Sequence, residues 1–138
     1  MRPLRILPTR LLSLAAMRSD RRVNEGLARA GARKWHYAML ATLAESGPAS
    51  QAQLSERTGI FRSDVVAVVN ELAERGQVER APNPADRRRN VITLTAAGRR
   101  QLARLDELIA EAETDVFAAL TPAERQELVR LLSALVGE

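Results

Sequence analysis

The sequence predicts a mainly α-helical fold that carries one small antiparallel β-hairpin. Three observations lead there. Apolar residues recur at helical spacing over most of the 138 residues, at both ends of the chain and in the middle. Aromatic residues are scarce (one Trp, one Tyr and two Phe), so the core has to be built from Leu, Val and Ala, which favours helices. Two strand-like runs, the alternating Gln77–Arg80 and the β-branched Val91–Leu94, enclose a stretch rich in Pro, Asn and Arg.

Taken in order, Met1 to Leu7 reads as a basic arm with Arg2 and Arg5. Thr9 is placed to cap a helix reaching about Ala30, with Leu11, Leu14, Ala15 and Met17 on its apolar side and Arg18, Arg21, Arg22 and Arg29 along its later half. Those arginines suit a solvated face, or one that meets acidic residues of the C-terminal helices or DNA. Gly31 breaks the pattern. A second helix is expected from about Arg33 to Glu45, with Trp35, Met39, Leu40 and Leu43 turned to the core, and Ser46-Gly47-Pro48 ends it.

The next stretch organises the chain. Ser50 can accept from the backbone N–H three residues on while Gln53 reaches back, a reciprocal capping box that starts a short helix over Ser50–Arg57. Thr58-Gly59 closes it. A further helix is expected from about Arg62 to Arg75, with Val65, Val69 and Leu72 on one stripe and Gly76 as its stop. A short helix, a tight turn and a second helix form a helix-turn-helix. In Ala81–Asn90 two prolines and two asparagines favour turns, and Arg87-Arg88-Arg89 at a hairpin tip suits phosphates or a minor groove. A helix-turn-helix with such a hairpin attached is a winged helix-turn-helix.

Thr95 then caps a long helix to about Leu120, whose apolar seam is Leu102, Leu105, Leu108, Ile109, Ala112, Val116 and Phe117. Thr121-Pro122-Ala123-Glu124 opens a last helix with Pro at its first position and a capping-box Glu; Leu128, Leu131, Leu132, Leu135 and Val136 form its apolar face. The expected organisation is an N-terminal arm and dimerisation helix (1–32), a winged helix-turn-helix region (33–98) and C-terminal dimerisation helices (99–138). A winged helix needs only about half of this chain. The surplus apolar faces point to a two-fold homodimer, with an intramolecular three-helix core as the competing arrangement.

At 46% apolar content the chain is one ordinary domain with a real core. Its formal charge of +4 admits a nucleic-acid partner without establishing one. The distribution says more. Residues 1–33 hold eight basic and two acidic groups and residues 51–100 hold nine and six, whereas residues 101–138 hold three and eight. One face is expected to meet a polyanion. The absence of cysteine excludes disulfides, thiolate metal sites and thiol redox sensing, and the lone His36 leaves no histidine-rich metal site, so neither metal nor cofactor is expected. No apolar run reaches the length of a membrane span, and the run Leu11–Met17 after Arg5 and Arg10 reads as an amphipathic helix rather than a signal peptide. A cytoplasmic location is expected.

Several motifs occur in a specific order: Glu71-Leu72 with Arg75-Gly76, Val78-Glu79-Arg80, Asp86-x-Arg88, and Leu94-Thr95-x-x-Gly98. In this series the chain resembles the MarR family of transcriptional regulators, and the similarity in layout runs from about Pro8 onward. The resemblance implies a double-stranded DNA-binding regulator, most often a repressor. Each recognition helix would enter a major groove and each wing the flanking minor groove, on a roughly palindromic operator. By the family pattern, Asp86 orients a guanidinium and Arg88 enters the minor groove, with Arg87 and Arg89 as cations for flanking phosphates.

In the recognition helix, Arg62 can donate to guanine, Val66 can meet a thymine methyl, Asn70 can pair with adenine or brace the wing, and Ser63 and Asp64 can contact phosphate or cytosine or cap the helix. Gln51, at the start of the preceding helix, joins this DNA-facing set. Many family members have Thr-Arg where this chain has Val66-Ala67, and Asp where it has Asn70, which shifts weight onto Arg62, Ser63 and the wing. Family members often bind small aromatic effectors between the first helices and the long dimerisation helix; by position Trp35 and His36 can line such a pocket, although ordinary packing of Trp35 competes. Two other readings remain, a winged-helix module that binds an acidic protein without sequence-specific DNA recognition, and an enzyme. The second is opposed by the lack of a cysteine, a phosphate loop or a paired-carboxylate motif.

Overall fold

The computed structural model describes residues 3–138, except for the side chains of Arg87 and Arg88. A short 3-10 turn over Leu4–Ile6 precedes six helices: α1 (Pro8–Ala28), α2 (Lys34–Ser46), α3 (Gln51–Thr58), α4 (Arg62–Glu74), α5 (Ala96–Val116) and α6 (Pro122–Val136). Three strands, β1 (Ala49–Ser50), β2 (Val78–Asn83) and β3 (Asp86–Leu94), form an antiparallel sheet in the order β1-β3-β2. This is the expected mainly α fold with a β-hairpin wing. Among the described residues no helix is long and apolar enough to cross a membrane.

Several elements follow from local chemistry. Ser50 Oγ accepts from Gln53 N–H at 3.1 Å and Gln53 Oε1 accepts from Ser50 N–H at 2.9 Å, the reciprocal box that starts α3. Gly59, at φ 74°, supplies the left-handed exit of that helix. Thr121 and Glu124 repeat the box at α6, with Pro122 at the first position. In contrast, α1 begins at Pro8 rather than being capped by Thr9: a proline at the first helical position has no N–H to satisfy, and Leu7 provides no side-chain cap.

The strands run further than their composition suggests. Pro82 lies inside β2, opposite Asn90, because β2 is an edge strand and its missing N–H breaks no pairing on the outer side. The register slips between Pro82 and Asn83, and Asn83 Oδ1 accepts from Ala85 N–H at 2.9 Å to close the turn. The expected ten-residue turn is therefore a tight one at Pro84-Ala85, and the arginine run belongs to β3. Strand β1, which the sequence reading lacks, pairs Ala49 with Ile92 and Ser50 with Val91.

The core is aliphatic. Leu27 of α1, Met39 and Leu40 of α2, Leu54 of α3, Val65, Val69 and Leu72 of α4, Ile92 of β3, and Leu105 and Leu108 of α5 are all fully buried. At Gly98 the first turn of α5 presses onto the entry to β2: a Cβ there would lie 2.1 Å from Gln77 O and 2.6 Å from Leu94 Cδ1. Thr95 stitches the same junction. Its N–H donates to Gln77 O at 3.1 Å, its hydroxyl donates to Gly76 O at 2.6 Å, and Oγ1 accepts from Gly98 N–H at 3.0 Å.

Helix α1 lies along α5. A Cβ on Gly26 would meet Leu108 O at 3.3 Å, and Arg22–Asp115 and Arg29–Glu111 pair across the two helices at 2.8 Å. Two of the α1 arginines thus face the acidic C-terminal part of the chain. Part of the α5 seam (Leu105, Leu108 and Ala112) is buried within the chain, whereas α6 buries no residue at all.

Candidate nucleic-acid interface

Three elements converge on one groove. The N-terminus of α3 contributes Ser50, Gln51 and Ala52, the first half of α4 contributes Arg62 and Val66, and β3 contributes Arg89 and Asn90; together they line a volume of about 400 Å³. The capping box holds the α3 wall. Burial of Val65, Val68, Val69 and Leu72 holds α4 by one stripe, which turns Arg62 and Val66, four residues apart, outward on a common face. Pairing of Ser50 with Val91 fixes β3 beside α3. The groove therefore offers two guanidinium groups, one aliphatic contact and amide and hydroxyl donors, a set suited to a polyanion with base edges exposed.

Comparison with known proteins agrees with this geometry. The model of the MarR family matches residues 26–89. The putative transcriptional regulatory protein for the hcr operon of Thauera aromatica is 37% identical over 99 residues, which is 72% of this chain and 60% of that protein. A crystal structure of a probable transcriptional regulator from Pseudomonas aeruginosa superposes with a TM-score of 0.84 at 30% identity, covering 96% of this chain and 99% of the other. The chain belongs to the MarR family. It matches only about 60% of the length of its curated relatives. The structure of Bordetella bronchiseptica BpsR, described for regulation of DNA binding by 6-hydroxynicotinic acid, shares the fold with a TM-score of 0.85 at 24% identity, over 100% of this chain and 99% of that one.

Within this MarR-family chain, Gln51, Arg62, Val66 and Arg89 are brought together by the groove. Ser63 and Asp64 sit in the first turn of α4 but do not line it, and neither caps the helix, whose N-cap is Phe61. Asp64 instead faces the positive end of the helix dipole. Asn70 braces the wing: its Oδ1 accepts from Arg80 Nη2 on β2, which leaves only its NH2 group as a donor. Asp86 pairs with Arg89 at 3.7 Å. The expectations for the Arg87 and Arg88 side chains, including orientation of Arg88 by Asp86, fall outside the described residues.

Trp35 and His36 are separated. Trp35 is 45% exposed rather than packed in the core, and with Asn24, Arg33 and Lys34 it lines a second cavity of about 460 Å³. His36 is buried and does not line that cavity. Its Nδ1 accepts from Arg33 N–H at 2.9 Å, so the ring proton sits on Nε2 and is shared with Glu71 Oε2 at 2.6 Å. Arg33 Nη2 donates to both oxygens of the same carboxylate at 3.0 and 2.9 Å. Arg75, one turn further along α4, donates to Gly31 O at 2.9 Å.

Burial pushes the His36 pKa down; the hydrogen bond to Glu71 opposes this, and Arg75 and Arg33 add to it. The hydrogen bonds from His36 and Arg33 hold the Glu71 carboxyl below the usual range. This cluster ties the α1–α2 turn to the recognition helix. The sequence reading missed it, although the Glu71 of the family motif was a signal that α4 carries a polar anchor. It missed Phe61 as well, an aromatic side chain 80% exposed at the start of α4.

Proposed function

We propose that this MarR-family chain is a sequence-specific double-stranded DNA-binding transcriptional regulator, acting as a homodimer on a roughly palindromic operator. The observation that carries the reading is the groove in which Arg62 and Val66 of α4 stand beside Gln51 of α3 and Arg89 of the wing. A helix with outward donors and an aliphatic contact suits a major groove, and a basic hairpin beside it suits phosphates and the flanking minor groove. The known relatives named as transcriptional regulators support the same reading.

The dimer rests on the outer helices, which are the proposed dimerisation elements. Leu4, Ile6, Leu11, Leu12 and Met17 at one end and Val129, Leu131, Leu135 and Val136 at the other are exposed in a single protomer. Apolar surface spread over two helices at both chain ends is what a two-fold partner would cover. Two-fold symmetry then sets half-sites about one helical turn apart. A small aromatic effector is proposed from the BpsR comparison, with the cavity of Trp35, Arg33 and Lys34 as its place: an indole face suits an aromatic ring, and a ligand carboxylate would share Arg33 and Lys34 with their partners Glu71 and Asp20. Effector and DNA would each change the other's affinity by one coupling factor.

Selection from a random duplex pool, then titration of the winner against scrambled DNA, tests the main reading. An enriched inverted repeat whose preference collapses in Arg88→Ala is expected. Uniform, salt-sensitive binding with no enriched motif would overturn sequence-specific regulation and leave a basic winged helix that docks on an acidic protein.

A further inference from the structure

We infer that Phe61 is a specificity-determining residue of the recognition helix, meeting the C5-methyl of a thymine in each half-site; the inference rests on the proposed DNA-binding reading. From Gln51 to Leu94, among the described residues, only two large apolar side chains are left exposed, Phe61 at 80% and Val66 at 40%. Both stand at the beginning of α4. Phe61 immediately precedes Arg62, and Arg62 and Val66 line the groove with Arg89. Val66 is thus set among cations, and Phe61, which does not itself line that groove, opens the helix that carries Arg62 and Val66. Apolar surface next to cations suits duplex DNA, which offers phosphates at the rim and thymine methyls on the groove floor.

The position itself costs stability. Phe61 is the N-cap of α4, and no side-chain oxygen caps that helix, as is also the case for Leu7 at α1, whereas Ser50, Thr95 and Thr121 cap α3, α5 and α6. A serine, threonine or aspartate would accept a first-turn N–H there. The backbone at Phe61 is already suitable, with φ −58° and ψ 144°, and its carbonyl accepts from Asp64 and Val65 N–H at 3.0 and 2.9 Å. An aromatic ring left exposed where a cap could stand suits a position that meets a bound surface. Of the possible surfaces, duplex DNA is the one favoured by the adjacent Arg62 and by the basic groove that the same helix lines.

The test uses the full chain and the duplex obtained by selection. Phe61→Ser is expected to raise the melting temperature by ~3 °C through the restored cap, while affinity for the selected duplex falls ~10-fold or more through the lost apolar contact. Replacing thymines by deoxyuridine, one position at a time, removes single methyl groups. At one position per half-site this should weaken the parent ~4-fold and leave Phe61→Ser unchanged, with Phe61→Leu keeping the dependence. Equal affinity of parent and Phe61→Ser, or the absence of any position at which the parent's deoxyuridine effect disappears in Phe61→Ser, would overturn the assignment; an effect that Val66 reads persists in both and is removed by Val66→Ala instead. Failure of the parent to select any duplex is a separate result that would remove the DNA-binding reading beneath it.

Discussion

Replacing Gly98 by alanine is the sharpest test of how the wing is joined to the long helix. The added Cβ would sit 2.1 Å from Gln77 O, 3.1 Å from Gln77 C and 2.6 Å from Leu94 Cδ1. The leucine terminus can rotate away; the carbonyl cannot, because it accepts from Thr95 N–H at 3.1 Å and belongs to the turn that enters β2. Relieving the overlap means separating α5 from that turn. Overpacking of this kind costs about 1–3 kcal/mol, and loss of the Thr95 bond adds about 1 kcal/mol. Alanine regains at most about 1 kcal/mol of helix propensity.

With the full propensity gain counted, the net loss is about 1–3 kcal/mol, which lowers the melting temperature of a domain of this size by roughly 4–10 °C. Thermal unfolding followed by circular dichroism reads it directly. A Gly98→Ala protein melting within about 2 °C of the parent would refute the account. Gly26→Ala is the comparison, since its Cβ would stop 3.3 Å from Leu108 O, a distance that a slight shift of α1 relieves.

The buried His36 predicts a stability that falls in acid. Its folded-state pKa lies below the ordinary value, so its contribution is complete above about pH 6.5 and is lost as the pH drops. His36→Gln, which does not titrate and keeps a donor toward Glu71, should flatten urea-unfolding free energies between about pH 6.5 and 5; equal slopes in parent and variant would exclude His36 as the cause. The Glu71 contribution is lost in the same direction but at lower pH, in the carboxylate range. Leu135→Glu places a charge on an α6 side chain that is 71% exposed in the protomer. It should yield a monomer by light scattering with an unchanged melting profile at high dilution, and a dimer like the parent's would remove α6 from the interface.

The features legible in the sequence are those whose partners lie within a few residues. The boxes of Ser50 with Gln53 and Thr121 with Glu124, the Thr95 cap and the glycine exits could be read because cap and partner are adjacent. The valine and leucine stripe of α4 was legible for the same reason. What was not legible depends on pairings across the chain. Strand β1 is two residues long and exists only because β3 passes beside it. Asn70 was open to two readings, base reader or wing brace, and only the placement of Arg80 on β2 decides for the brace. Trp35 kept helical spacing with Met39 but stands at the first turn of α2, beyond the edge of the core. Pro82 reads as a break in any strand except one at a sheet edge, and position within a sheet has no local signature.

The central place of β3 has a mechanical consequence. One side of this strand is fastened to the residues that open α3 and the other to the hairpin, so the two walls of the groove are parts of a single frame. The core residues Ile92 and Leu72 lock that frame to α4 from behind. Each protomer is then a gauge of fixed calibre, which cannot be opened or narrowed without breaking strand pairing. In the proposed dimer the adjustable quantity is the separation of two such gauges, set by how the outer helices of the two protomers pack. Regulation would then act like sliding the jaws of a caliper rather than reshaping either jaw.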